Sequence, residues 1–263
     1  MLIDSHTHIQ LEQFEPDRHD VLQRAELAGV GQLLVIGFDL KTSQHAVELA
    51  MKTENLWATV GMHPHDAKDL TNVTMDTFRQ LAGGAKVIAL GEMGLDYYRD
   101  QVSPSDQYRK LQAQLDLAAE LSLPVIVHCR EAYKDMCAIV EDWQDRGGPR
   151  SGNVGVFHSF SGYQRDAQAV LALGFYLGIT GLVTFPKSDG LRRAVTTAPL
   201  ERLLIETDAP FLTPQLRRGK RNEPSYVRWI ADTIATQRDI KLAPLARATT
   251  RNAETLFAWD DLR

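Results

Sequence analysis

Residues 1–10 read MLIDSHTHIQ, an aliphatic run that ends in an alternating pair of histidines. Residues two apart in a strand face the same side, so we expect His6 and His8 to point together from one strand end. Two imidazoles on one face can bind the same metal ion, although ordinary histidines on a half-buried strand would give the same pattern. The choice between these interpretations depends on whether other strands also end in residue types that bind metals.

Seven further runs of β-branched and aliphatic residues come after this one. In order they are QLLVIG, WATVGMH, VIALGEMG, PVIVHC, VGVFHSF, FYLGITG and LLIETDAP. Amphipathic stretches with helical spacing lie between them, for example at 18–30, 103–123 and 131–145, and another at 244–257 closes the chain. Because apolar runs joined by helices indicate buried parallel strands, eight such units predict a closed (β/α)8 TIM barrel. A doubly wound open sheet is the alternative, but no Gly-rich phosphate fingerprint follows the first strand.

The bulk composition is typical of one globular domain, which we expect to span residues 1–263. Of the 263 residues, 44% are hydrophobic and 24% are charged. Cys129 and Cys137 are too few for a disulfide framework, which favours a reducing, cytoplasmic setting. No segment approaches the length of a membrane span, and a motif that begins at Asp4 leaves no room for a cleavable signal.

The net charge of −5 argues against binding nucleic acid over a broad electrostatic surface. Residues 216–224 are a local exception. They read LRRGKRNEP and contain Arg217, Arg218, Lys220 and Arg221. Most charge runs form solvated loops, but this one follows the eighth strand and is therefore expected to lie over one end of the barrel.

Five of the eight runs end in residue types that bind metals. These are His6 and His8 in the first run, Glu92 in the fourth, His128 in the fifth, His158 in the sixth and Asp208 in the eighth. The carboxyl ends of barrel strands meet at one mouth, the face that carries active sites in enzymes of this shape. Imidazole and carboxylate ligands suit Zn, Mn, Fe or Co, with Mg also possible. We therefore predict metal-assisted hydrolysis at a two-metal centre, with Glu92 bridging the ions and Asp208 taking the proton of the attacking water.

The motifs DSHTH, GMHPH, GEMGLDYYRD, PVIVHCRE, HSFSG, YLGITG, LLIETDAPFL and RNEP occur in this order between residues 4 and 224. Together they resemble the TatD family of metal-dependent deoxyribonucleases, within the amidohydrolase superfamily. The resemblance covers nearly the whole chain and implies a (β/α)8 barrel that hydrolyses DNA phosphodiesters with divalent metal, often from the 3′ end. Motif by motif, the implied ligands are His6, His8, Glu92, His128, His158 and Asp208.

Other polar residues near the same strand ends are assigned to the substrate or to ligand support. His63 and His65, in GMHPH, are expected to donate to a substrate phosphate, unless they are ordinary loop histidines. Glu206 and Asp96 are expected to orient ligating imidazoles by accepting their second ring proton. Asp96 would equally suit the cap of the turn that comes after it.

Contacts with the substrate are also expected from the basic loop and from aromatic residues. Arg221 is the first choice for holding a phosphate that flanks the scissile bond. Tyr97, Tyr98 and Phe211 lie near strand ends and suit either the stacking of exposed bases or simple packing.

These expectations combine into a hydrolase that uses two divalent ions (Mg, Mn or Zn) as a 3′–5′ exonuclease on single-stranded or frayed DNA ends. The expected partner is DNA, with neither a membrane nor an obligate protein partner. The DNA preference comes from the resemblance alone. One alternative is a metal-dependent hydrolase of a small phosphate ester, an amide or a lactone. A non-enzymatic binding module is disfavoured, because unpaired polar residues at a barrel mouth cost stability unless a ligand satisfies them.

Overall fold

The computed structural model describes residues 1–99 and 102–259. In this part of the chain, parallel strands form one sheet in sequence order. The strands are β1 (Leu2–Thr7), β2 (Val30–Ile36), β3 (Leu56–Val60), β4 (Val87–Asp96), β5 (Val125–Arg130), β6 (Gly155–Phe157), β7 (Tyr176–Ile179) and β8 (Leu203–Ile205).

Helices connect successive strands, and two follow β8. The helices are α1 (Arg18–Leu27), α2 (Leu40–Lys52), α3 (Asn72–Ala82), α4 (Pro104–Leu121), α5 (Tyr133–Asp145), α6 (Gln164–Ala172), α7 (Asp189–Thr197), α8 (Val227–Gln237) and α9 (Leu242–Phe257). The four amphipathic stretches read from the sequence correspond to α1, α4, α5 and α9. Within the described ranges, no helix is both long enough and apolar enough to cross a membrane.

The two edges of the sheet meet between β1 and β8. The backbone N–H of Asp208 donates to the His6 carbonyl at 2.9 Å, and that of His8 donates to the Ala209 carbonyl at 2.7 Å. The Asp4 carboxylate accepts from the Thr207 backbone N–H and hydroxyl at 2.8 and 2.6 Å. The predicted (β/α)8 barrel is therefore confirmed, and the open sheet is excluded because its edge strands would remain apart.

Apolar side chains fill two layers. A large cluster lies between the strands and the surrounding helices, and includes Phe78 and Trp143. A second cluster joins strand residues such as Trp57 to the C-terminal residues Phe257 and Trp259. Since α9 shares this second cluster with the strands, its packing helps hold the barrel on which the strand-end residues are mounted.

Candidate metal centre

All six residues predicted as metal ligands lie in the carboxyl-terminal half of a strand or shortly after its end. His6 lies within β1 and His8 directly follows it, Glu92 lies within β4, His128 lies within β5, His158 directly follows β6, and Asp208 follows β8. Their side chains are buried or half-buried. The barrel therefore brings together residues that are up to 202 positions apart in the sequence.

The Glu92 carboxylate lies between two groups of imidazoles. Its Oε1 atom is 2.9 Å from His128 Nδ1 and 2.9 Å from His158 Nε2. Its Oε2 atom is 3.4 Å from His6 Nε2 and 4.0 Å from His8 Nε2. Each carboxylate oxygen thus faces a different group, an arrangement that suits a carboxylate shared between two ions.

Asp208 completes the group on the β1 side. Its Oδ1 atom is 3.2 Å from His8 Nε2 and 3.5 Å from His6 Nε2, and these two nitrogens are 3.2 Å apart. The backbone at Asp208 has a φ of 57°, in the left-handed region that non-glycine residues seldom adopt. Such a conformation is often held at functional sites, and here it accompanies a carboxylate that faces two imidazoles.

His63 adds a group that the sequence analysis assigned to the substrate. Its Nε2 atom is 3.6 Å from Glu92 Oε1, and ligand atoms of His63, Glu92 and His128 all lie within 4.8 Å of one another. His6, His158 and Glu206 meet the same distance criterion. The position of His63 therefore suits a metal ligand as well as a contact with substrate in the cavity.

Asp96 makes the contacts required by both of the interpretations that the sequence left open. Its Oδ2 atom is 2.9 Å from His65 Nε2 and 3.1 Å from His128 Nε2. Its Oδ1 atom accepts from the backbone N–H groups of Tyr98 and Arg99, each at 2.9 Å. One oxygen contacts two imidazoles and the other caps the turn, so the turn after β4 is fixed relative to the histidines.

Close packing of β4 and β5 depends on a glycine. Gly94 pairs with His128 across these strands and has a φ of +152°. A Cβ atom there would lie 1.8 Å from the His128 carbonyl oxygen. Any side chain at position 94 would therefore push His128 away from Glu92.

Glu206 is enclosed beneath the His158 ring. Its Oε1 atom accepts from the Ser159 backbone N–H at 2.5 Å and is 3.4 Å from His158 Nδ1. Its Oε2 atom accepts from the Ser5 hydroxyl at 3.2 Å. Gly178 on β7 leaves room for this carboxylate, since a Cβ there would lie 2.4 Å from Oε2.

Charges in the centre are balanced by the histidines. Burial alone would raise the pKa of Glu92, but the positive charge of His158 and hydrogen bonds from the surrounding imidazoles hold that pKa well below its ordinary value. Burial opposes protonation of His158, yet the Glu92 charge and the contact with Glu206 raise its pKa well above the ordinary value. The carboxylates thus favour a protonated imidazole at the centre. A divalent ion would supply the same positive charge.

Asp208 and His63 are placed so that they stay unprotonated. Burial would raise the pKa of Asp208, but the hydrogen bond from His8 and the charge of His158 hold it below its ordinary value. For His63, burial dominates and lowers the pKa well below the ordinary value. An ionised carboxylate and a neutral imidazole are the forms that accept a proton or ligate a metal.

The residues present fit a divalent metal. Among the described residues, Nδ1 of His6 is buried without a hydrogen-bond partner. The His6 and His8 Nε2 atoms lie 3.2 Å apart, and each also approaches a carboxylate, at 3.4 Å to Glu92 and 3.2 Å to Asp208. Buried lone-pair donors that converge in this way are costly unless a cation satisfies them.

A cavity of about 490 Å³ opens above these residues. Its wall includes Phe38, Arg99, Arg130, Phe211 and Leu212, together with the predicted histidines except His6 and the predicted carboxylates except Glu206. Of these five, the sequence analysis singled out only Phe211. A signal for one of the others was available, because Arg130 follows His128 by two positions in the same strand and should share its face.

The basic loop occupies a different position from the expected one. Within the part of the chain described, none of its four cations lines this cavity. Arg221 donates to Asp17 through two hydrogen bonds of 2.9 and 2.7 Å, and its guanidinium lies 4.4 Å from the Phe14 ring centroid. Arg217 lines a separate depression beside Trp229. The contact of Arg221 with substrate stays a prediction.

The three aromatic residues singled out from the sequence differ in position. Phe211 lines the cavity, with its ring centroid 5.9 Å from that of His8. The Tyr98 ring lies 3.9 Å from the Arg130 guanidinium, whereas the Tyr97 hydroxyl donates to Asp135 at 2.9 Å. Phe211 is therefore the member of this group that faces the metal centre.

A (β/α)8 barrel with histidines and carboxylates converging at its mouth defines the class of barrel-shaped metal-dependent hydrolases. The sequence profile described as TatD related DNase matches residues 3–258, and the chain belongs to that family. The resemblance read from the motifs is thus confirmed.

Relatives agree over the full length. The chain is 40% identical over 258 residues to the uncharacterized metal-dependent hydrolase YabD of Bacillus subtilis, covering 98% of this chain and 99% of the relative. It is 39% identical over 261 residues to the 3′-5′ ssDNA/RNA exonuclease TatD of Escherichia coli K12, covering 97% and 98%. The crystal structure of YJJV, a TatD homologue from Escherichia coli K12, superposes with a TM-score of 0.91 at 30% identity and 98% coverage of both chains. The protein is accordingly a metal-dependent hydrolase.

Proposed function

We propose that this protein is a divalent-metal-dependent phosphodiester hydrolase that trims single-stranded or frayed DNA from the 3′ end. The observation that carries the proposal is Glu92, whose two carboxylate oxygens face separate groups of imidazoles at the base of an open cavity. A relative named as a 3′-5′ ssDNA/RNA exonuclease supports the nucleic-acid substrate. Because that name includes RNA, the experiment that tests the proposal compares both polymers.

The proposed cofactor is a pair of divalent ions, Mg, Mn or Zn, with Glu92 shared between them. His6, His8 and Asp208 would hold one ion, while His128 and His158 would hold the other. Such ions supply Lewis-acid activation of the phosphoryl group and of water. The short distances from Glu92 Oε1 to His128 and His158, both 2.9 Å, support this grouping.

Asp208 is the proposed general base. It is ionised, lies at the rim of the β1-side group and lines the cavity. It accepts a proton as the water oxygen forms its bond to phosphorus, and the phosphorus–oxygen ester bond breaks in the same displacement. The proton then passes from Asp208 to the departing oxygen, which returns the carboxylate to its starting state.

The neighbouring residues are proposed to position ligands and substrate. Glu206 and Asp96 hold the rings of His158 and His128, and this is the usual way that carboxylates orient metal-ligating imidazoles. His63 and His65 line the cavity and are proposed to contact a substrate phosphate. Arg221 is a proposed contact farther out, where a phosphate would replace the Asp17 carboxylate as its partner.

We further propose a cytoplasmic setting. Cys129 and Cys137 are both free thiols, and Cys129 is buried beside the cavity. Free buried thiols are usual in proteins of reducing compartments.

The test is digestion of single-stranded DNA labelled at its 5′ end, with Mg²⁺, Mn²⁺ or a chelator, resolved to single nucleotides. We expect a metal-dependent ladder that shortens from the 3′ end, and its near loss in Asp208→Asn. An RNA of the same sequence, run in parallel, establishes which polymer is preferred. If the DNA stays intact while a small phosphate ester is hydrolysed, the nucleic-acid proposal fails and the alternative of a small-ester hydrolase replaces it.

A further inference from the structure

One wall of the mouth cavity carries two arginines that the proposed mechanism does not use. Arg130 is the last residue of β5 and pairs in register with Asp96 of β4. It follows His128 by two positions, so it faces the same side about 6.6 Å farther out along the strand. Arg99 lies in the turn after β4, where its backbone N–H donates to Asp96. Both side chains line the cavity, above the histidines.

Within the described residues, these arginines lack the anionic partner that Arg221 of the basic loop has. Across residues 1–99 and 102–259, neither guanidinium forms an ion pair with a carboxylate or donates to a protein oxygen, and that of Arg130 lies over the Tyr98 ring, 3.9 Å from its centroid. Arg221, by contrast, is bound to Asp17. A guanidinium has five N–H donors in a planar fork, which matches the oxygens of a phosphate. The free donors on this wall therefore suit an anionic ligand.

The opposite side of the cavity is aromatic. Phe38 follows β2 and Phe211 follows β8, the two strands that flank β1 in the barrel. Their ring centroids are 5.3 and 5.9 Å from that of His8. Phe211 is 48% exposed, an unusual state for a phenylalanine in a cavity without a partner. A flat apolar ligand would cover these rings, whereas the wall that carries Arg99 and Arg130 favours a negatively charged group of the ligand.

We propose that Arg99 and Arg130 bind a non-scissile phosphate next to the cleaved bond, while Phe38 and Phe211 stack against a base on the other side of the metal centre. The inference rests on the proposed function and specifies its substrate as a chain with at least two phosphates. An isolated phosphodiester would reach the metal centre but leave both arginines unoccupied. The two arginines thus determine specificity for a polynucleotide. The bases can stack on the aromatic rings without their sequence being recognised.

The experiment compares two substrates in the metal-loaded, full-length enzyme. One is a short single-stranded oligodeoxynucleotide, and the other is bis(p-nitrophenyl) phosphate, which has one phosphodiester only. For Arg130→Gln, Arg99→Gln and the double variant, we expect KM for the oligonucleotide to rise by about tenfold or more, because bonds to a charged group are lost. Turnover of bis(p-nitrophenyl) phosphate should stay within about twofold of the parent. Arg251→Gln on α9, also exposed, controls for the loss of one positive charge.

A second arm uses the parent enzyme and an oligonucleotide with a neutral methylphosphonate in place of the non-scissile phosphate. We expect KM for this substrate to rise by a similar factor. Arg130→Gln should raise that KM little further, because both changes remove the same contact. Equal losses on both substrates would show that the arginines only support the fold, and additive losses would show that they bind elsewhere. Either result overturns the inference. If the parent enzyme hydrolyses the small diester but no oligonucleotide, the proposed function itself fails.

Discussion

The barrel mouth and the basic loop at residues 216–224 both carry charged residues, but they differ in how those charges are paired. In the loop, Arg221 is paired with Asp17 and Glu223 is paired with Arg24 at 2.7–3.0 Å. At the mouth, like groups face one another, such as the nitrogens of His6 and His8 at 3.2 Å. Opposite charges that pair with each other stabilise a loop, whereas buried polar groups without a suitable partner indicate a ligand.

The largest effect is expected from the centre of the mouth. Glu92→Gln preserves size but removes the negative charge that faces both groups of imidazoles. Since metal ions contribute several kcal/mol to such reactions, we expect kcat to fall by about a thousandfold or more. Metal content per chain, measured by elemental analysis, should fall with it. Full activity with normal metal content would contradict the assignment of Glu92 as the shared ligand.

Removal of the metal is expected to give the next largest effect, this time on stability. An ion that binds only the folded state stabilises it by about 4 kcal/mol when its concentration is a thousand times the dissociation constant. Dialysis against a chelator should therefore lower the Tm by several degrees, and Mn²⁺ or Zn²⁺ should restore it. The same treatment of Glu92→Gln serves as the matched comparison and should shift its Tm less. An identical shift in both proteins would mean that the stabilising ion binds away from the mouth.

A smaller effect is expected at Glu206, which contacts the predicted ligand His158 rather than the metal site itself. Glu206→Gln keeps one oxygen for Ser159 or Ser5 but weakens the contact with His158 Nδ1. Loss of such a partner typically costs about 10–100-fold in metal affinity or activity. Metal titration followed by calorimetry measures this change, and excess metal should restore much of the activity. If excess metal has no effect, Glu206 acts on the fold of the site rather than on metal affinity.

The same contrast between mouth and loop separates what could be predicted from the sequence from what could not. The strand runs and their terminal residues predicted the barrel and the meeting of His6 with Asp208, because strand alternation and barrel closure are local rules repeated along the chain. The partner of Arg221 was not predictable, since Asp17 belongs to the start of another connection 204 residues away. Arg99 was missed because it lies in the turn after β4, where the strand period no longer applies and a cap at Asp96 does not show which side chains face the cavity.

The smallest effect is expected in the basic loop, where Arg221 and Glu223 already have ion-pair partners. Asp17→Asn removes the partner of Arg221, and because this ion pair is partly exposed and screened, we expect a loss of about 1 kcal/mol or less in the free energy of unfolding. The hydrogen bond from Arg221 holds the pKa of Asp17 below its ordinary value, so its contribution is present at neutral pH and lost as the pH falls through that lowered pKa. Urea denaturation of both proteins should therefore show a difference at pH 7 that shrinks toward pH 3. A loss of several kcal/mol at pH 7, or one that persists in acid, would mean that this loop is held by something other than its ion pairs and would remove the contrast with the mouth.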